Sequence, residues 1–139
     1  MVCTFFGHKD TPKNIEPTLR TTLVDLIENH GTNMFYVGNN GSFDAMVRRQ
    51  LEDLSNTYPI TYNVVLAYLP AKKREYDDYT NSILPDGIET VPKRFAISWR
   101  NKWMIKQSAY VVTYITHSWG GAAQFAEMAQ RKKNVINLD

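Results

Sequence analysis

The chain has 139 residues, 43% of them hydrophobic and 22% charged, with a formal net charge of +2. That length suits a single domain spanning 1–139 with one sizeable core, and so small a charge argues against a nucleic-acid or anionic-membrane partner. The single cysteine, Cys3, can form no internal disulfide and no multi-cysteine metal site, so it reads as a buried, inert thiol.

"VCTFF" (2–6) is a short apolar run closed by Gly7 and reads as the first strand. After the polar loop "HKDTPKN", apolar residues at Ile15, Leu19, Leu23, Leu26 and Ile27 have helical spacing, with Asn14 as a candidate cap and a stop at "NHG". "NMFYVG" (33–38) is the second strand. Beyond "NNGS", a helix carries Phe43, Val47, Leu51 and Leu54 on one face, with Ser42 as candidate N-cap. "TYNVVLAYL" (61–69), dense in β-branched and aromatic residues, is the third strand. The tyrosine-rich stretch that follows reads as a short helix and a loop, and "IETVP" (88–92) as a short strand. A third helix starts near Lys93, and its Phe95, Trp99 and Trp103 form a stripe that reads as core packing. "AYVVTYIT" (109–116) is a strand, Gly121 to about Lys133 a helix, and "NVINL" (134–138) a last strand.

Strands alternating with helices predict an open, mostly parallel α/β sheet of Rossmann-like type, with helices on both faces. No apolar stretch is long enough to span a bilayer, and "MVCTFFGHKD" lacks the order of a signal peptide, so a cytoplasmic protein of bacterial or viral kind is expected. The basic runs Lys72-Lys73-Arg74 and Arg131-Lys132-Lys133 read as solvated helix ends.

In such a sheet, ligands bind beyond the carboxyl ends of the strands. Three loops with unusual chemistry leave strands at that rim: "GHKD" (7–10), "GNNGSFD" (38–44) and "THSWGG" (116–121). Glycine permits a tight turn, or close approach of a ligand to the backbone, and the pattern alone leaves both open. Free N–H groups at a helix N-terminus suit an anion. Neither common nucleotide fingerprint is present. Arg100 and Met104 lie one turn apart on the third helix, where an arginine would pair with a phosphate or form a surface ion pair.

The chain resembles the SLOG superfamily, Rossmann-like proteins related to the "lonely guy" (LOG) cytokinin-activating enzymes and to the core domain of DNA-processing protein A. The resemblance covers nearly the whole chain and is nearest to small stand-alone bacterial and phage members. It rests on "FFGHKD", "VGNNGSFD" and "RNKWMIKQSAYVVTYITHSWGGAAQFAEMA". It implies that Arg100 and Met104 match the arginine and methionine of the LOG motif, Gly120 and Gly121 its glycine pair, and Glu127 its glutamate. Asn101, Trp119, Ala109, Ala123 and Gln124 depart from it: they stand where the LOG pattern has Lys, Pro, Asp, Gly and Thr.

The expected function is therefore binding of a nucleotide or nucleotide-derived signal, as a sensor or as a sponge for a defence messenger. The expected ligand contacts are Gly7, His8 and Lys9 from the first loop, Gly38, Asn39, Gly41, Ser42 and Asp44 from the second, Arg100, Asn101 and Met104 from the helix, and His117, Trp119, Gly120, Gly121 and Ala122 from the third. The alternative is a LOG-like nucleoside 5′-monophosphate phosphoribohydrolase, with Glu127 and Arg100 as its catalytic pair. Neither reading calls for a cofactor or a metal. A homo-oligomer is expected from aromatics at Tyr76, Tyr79 and Trp103. On this reading, Arg100→Ala keeps the fold and loses nucleotide-induced thermal stabilisation.

Overall fold

The computed structural model describes residues 1–68 and 81–139. Among them, six strands form one sheet in the order β4-β3-β2-β1-β5-β6. The strands are β1 (Val2–Gly7), β2 (Met34–Val37), β3 (Thr61–Val65), β4 (Ser82–Ile83), β5 (Tyr110–Tyr114) and β6 (Asn134–Asn137). Every pairing is parallel. The helices are α1 (Glu16–His30), α2 (Ser42–Ser55), α3 (Lys93–Gln107) and α4 (Gly121–Gln130). The chain winds outward from β1 to β4, then α3 carries it back to β5 on the other side of β1. The strand order therefore reverses between β1 and β5.

Side chains alternate between two faces, as strand geometry requires. Phe5, Val64 and Val112 pack with Leu19, Leu23 and Leu26 of α1 and Phe43, Val47 and Leu51 of α2. Their neighbours Phe6, Val65 and Val111 pack on the opposite face with Met104, Ile105, Phe125 and Ala129 of α3 and α4. Both faces are covered, which is why the strands read as continuous apolar runs. Cys3 is buried, and desolvation pushes its thiol well above the usual range.

Several expectations are corrected. A 3-10 turn, Lys13–Ile15, precedes α1, so Ile15 and not Asn14 is its N-cap. Strand β3 ends at Val65, short of the expected 69. Residues 88–92 are no strand: Ile88–Thr90 is a 3-10 turn whose N–H groups bond locally, Ile88 to Pro85 O and Thr90 to Gly87 O. The edge strand is Ser82–Ile83 instead. The inner face of α3 is Ala96, Arg100, Asn101, Met104 and Ile105. Phe95 is 51% exposed, Trp99 flanks a small cluster of Ala67, Ile88 and Ala96, and Trp103 is half-buried against Tyr36, so the aromatic stripe is a flank rather than the core face. Trp103 is accordingly not an exposed aromatic. Tyr76, Tyr79 and the Lys72-Lys73-Arg74 run lie outside the described residues.

Gly7 ends β1 beneath α2. A Cβ there would lie 2.3 Å from Phe43 Cγ and Cδ2, and Phe43 is fully buried with nowhere to retreat. Gly7→Ala is expected to destabilise the fold by about 2–3 kcal/mol through overpacking, measured as a lower urea midpoint with an unchanged slope.

Candidate functional site

The reversal in strand order opens a crevice at the carboxyl ends of β1 and β5, where open α/β sheets take their ligands. A cavity of about 520 Å³ lies there. The three glycine-bearing loops do meet at this one edge. The first contributes Gly7, His8, Lys9 and Asp10, the second Asn40 and Asp44, and the third His117, Trp119, Gly120, Gly121 and Ala122. Helix α3 supplies Ile97, Arg100, Asn101 and Met104. Of the expected contacts, Gly38, Asn39, Gly41, Ser42 and Glu127 do not line the cavity.

The second loop is spent on holding the site together. Ser42 is not the N-cap of α2; Gly41 is, at φ 95° and ψ −179°, a backbone region open essentially to glycine. Ser42 instead donates both its N–H (2.8 Å) and its hydroxyl (2.6 Å) to Lys9 O, which ties the second loop to the first. A Cβ at Gly38 would lie 2.8 Å from Asp44 Oδ2 and 3.3 Å from Arg100 Nη2. That glycine therefore admits two charged side chains of the protein, not a ligand. The Asn40 N–H donates to Asp44 Oδ2 at 2.9 Å. The N-terminus of α2 is thus occupied by the protein's own acceptors.

The N-terminus of α4 differs. Gly120 starts it at φ 96° and ψ 167°, nearly the geometry of Gly41, and no side chain caps it. The first helical bond runs from Gln124 N–H to Gly120 O at 3.1 Å, so the N–H groups of Gly121, Ala122 and Ala123 precede the ladder. A Cβ at Gly121 would meet nothing within 4 Å. The glycine pair therefore has two roles: Gly120 makes the turn, and Gly121 leaves open space over the positive end of the helix dipole.

Arg100 forms the floor and is 3% exposed. Its Nε and Nη2 donate to Asn101 Oδ1 (3.2 and 3.1 Å), and its Nη1 donates to Asn39 Oδ1 (3.0 Å) and Val65 O (3.4 Å). It is no surface ion pair. Burial pulls its pKa down, opposed by the Asp44 carboxylate, and a guanidinium stays charged regardless. Asp44 is itself buried. Desolvation pushes its carboxyl up to about 6, against the Asn40 N–H and the charges of Arg100 and Arg48.

At the rim, three rings form a column. His8 stacks on His117 at 3.7 Å and 15°, and His117 on Trp119 at 3.8 Å and 20°. His8 is buried, and its Nε2 accepts the Thr116 N–H at 3.0 Å, which leaves the proton of the neutral ring on Nδ1. Burial, then the neighbouring His117, holds its pKa below the usual imidazole range. Trp119 is 70% exposed.

Glu127 faces elsewhere. At about 100° per residue it lies far around α4 from Gly121, whereas Phe125, one turn on, shares the cavity face. Glu127 is exposed and accepts from Arg131 at 3.4 Å. Sequence reasoning missed Asp10, Asn40, Ile97 and Phe125, and also Phe5 and Phe6 of β1. The first two stood inside loops already singled out, and Ile97 and Phe125 follow from the helical spacing of Arg100 and Gly121.

No family model matches the chain, and no curated protein matches it in sequence. Its structure is similar to that of DNA processing protein A (DprA) from Streptococcus pneumoniae, with a TM-score of 0.70 and 12% identity over 97% of this chain and 49% of that one. The chain spans about half the length of that protein. The fold is a Rossmann-like α/β fold with an all-parallel sheet. Among the described residues, no helix is long and apolar enough to cross a membrane.

Proposed function

We propose that this SLOG-type domain binds a nucleotide or a nucleotide-derived signal at the β1–β5 crevice, as a sensor or a sequestering protein. One observation carries the reading: a single cavity is lined at once by an uncapped helix N-terminus, a buried guanidinium and an exposed indole. The first two suit an oxyanion, the third suits a ring, and about 520 Å³ falls in the range of small-molecule sites. The phosphate site is narrower than the sequence implies, with the α4 N-terminus as its donor, Arg100 as a buried positive charge whose N–H groups are mostly spent on Asn39, Asn101 and Val65 O, and Lys9 at its edge. Among the described residues, Tyr68, Phe95 and Trp119 are the exposed aromatics that the expected self-association could use.

The test is thermal unfolding of the native chain with AMP and with ADP-ribose. A ligand at about a hundred times its Kd adds about 2.7 kcal/mol and raises Tm visibly; no shift with either would count against the reading. The glycosidase alternative loses its carboxylate, since Glu127 does not line the cavity. Glu127→Ala is expected to keep nucleotide affinity within about twofold, because an exposed ion pair of this kind contributes little. Release of free base from AMP by the native chain, abolished in that variant, would restore the enzyme reading.

A further inference from the structure

A tryptophan is costly to leave in water, and burial of so large a side chain is among the strongest apolar gains a fold can make. Trp119 is nonetheless 70% exposed. It is also held in place. One face lies against His117, which lies against His8. His8 is 8% exposed, accepts the Thr116 N–H, and meets the Tyr114 ring edge-on at 6.4 Å. The indole is thus the outer end of a column founded in the core. With one face covered by imidazole, its exposure lies on the other face and the edge. That ring borders the cavity beside Gly121, where the space is open.

The geometry points to Trp119 as a stacking platform for a planar heteroaromatic ring, so that the ligand is a phosphate ester carrying an aromatic base rather than a sugar phosphate or an inorganic anion. This rests on the phosphate site proposed above and adds a requirement to it. The histidine column fixes the indole before the ligand arrives, so little side-chain freedom is lost on binding. Stacking also tolerates different bases, because each presents a π-face. The platform selects for the presence of a base more than for its identity.

The test compares AMP with ribose 5-phosphate by calorimetry, on the native chain and on Trp119→Leu and Trp119→Phe. The native chain is expected to bind AMP at least about tenfold more tightly than ribose 5-phosphate, with quenching of indole emission by AMP that the Leu variant lacks. In Trp119→Leu the ratio should fall towards one while ribose 5-phosphate affinity holds within about twofold; Trp119→Phe should keep most of the ratio. Equal affinities in the native chain, or a ratio that survives in Trp119→Leu, would overturn the platform and leave the phosphate site standing. Binding of neither probe would remove the phosphate site, and the platform with it.

Discussion

Replacing Arg100 with alanine is expected to lower the stability of the fold by about 3–5 kcal/mol and to abolish nucleotide-induced stabilisation as well. The sequence alone suggests that the fold would survive intact, since an arginine on a helix usually reaches solvent. Here it is buried and ties α3 to β3 through Val65 O and to the second loop through Asn39, while Asn101 on α3 itself accepts its Nε and Nη2. Truncation leaves a cavity and unpaired acceptors, and it leaves the buried Asp44 carboxylate with Arg48 alone as a neighbouring charge. Asp44 then takes up a proton more readily, which holds the loss nearer the lower figure at neutral pH. Tm should fall by about 10 °C. Arg100→Lys keeps the charge but cannot span the three acceptors with one ammonium, and should recover only part of the loss. Arg100→Met with Asp44→Asn separates the two roles. It removes both charges and keeps the volume, so it should regain most of the stability and none of the binding. A double variant that still gives the native melting shift with ADP-ribose would remove Arg100 from the site.

The strands and the meeting of the loops were legible because each follows from a local rule. Apolar runs such as "YVVTY" are strands, and parallel strands bring every strand-to-helix loop to one edge. The facing of α3 was not legible. Ranked by hydrophobicity, Phe95, Trp99 and Trp103 outweigh Ala96, Arg100 and Asn101, yet the helix presents the second set inward. Ala96 packs in a small cluster with Ala67 and Ile88, and Val65 O, Asn39 and the Asp44 carboxylate join Asn101 in letting an arginine be buried. Apart from Asn101, these partners lie outside the helix. The glycines hid their roles for the same reason. Gly7 yields to Phe43 and Gly38 to Asp44 and Arg100, while among the glycines of the three rim loops only Gly121 faces open space, and a glycine in a sequence does not say what fills the place of its missing side chain.

Acidification is expected to tighten binding of ADP-ribose, whose pyrophosphate does not itself titrate between pH 5 and 8. Asp44 is the cause. Its carboxyl, pushed up to about 6, is ionised at pH 8 and neutral at pH 5. It borders the cavity and shares the space over Gly38 with Arg100, so its charge opposes any oxyanion that approaches the guanidinium. Two unit charges about 8–12 Å apart at an effective dielectric near 20 repel by about 1.4–2 kcal/mol, so affinity should rise by at least about tenfold from pH 8 to pH 5. His8, held below the usual imidazole range, gains a positive charge when it takes up a proton and pushes the same way. Asp44→Asn tells the two apart. The amide still accepts the Asn40 N–H, so the loop is kept. The variant should bind at pH 8 nearly as tightly as the native chain does at pH 5, with only the shallow histidine slope left. Stability follows from the same shift. The folded value lies above the 3.8 of the free side chain, so the folded chain holds a proton that the unfolded chain has released between about pH 4 and 6. That contribution is complete below pH 4 and is lost as pH rises through 6, a difference of about 3 kcal/mol. Asp44→Asn should flatten this part of the stability profile and gain most at pH 8. An Asn variant with the native pH slope in affinity, or a native chain that binds ADP-ribose more weakly in acid, would mean that Asp44 and the ligand do not share the floor of this cavity.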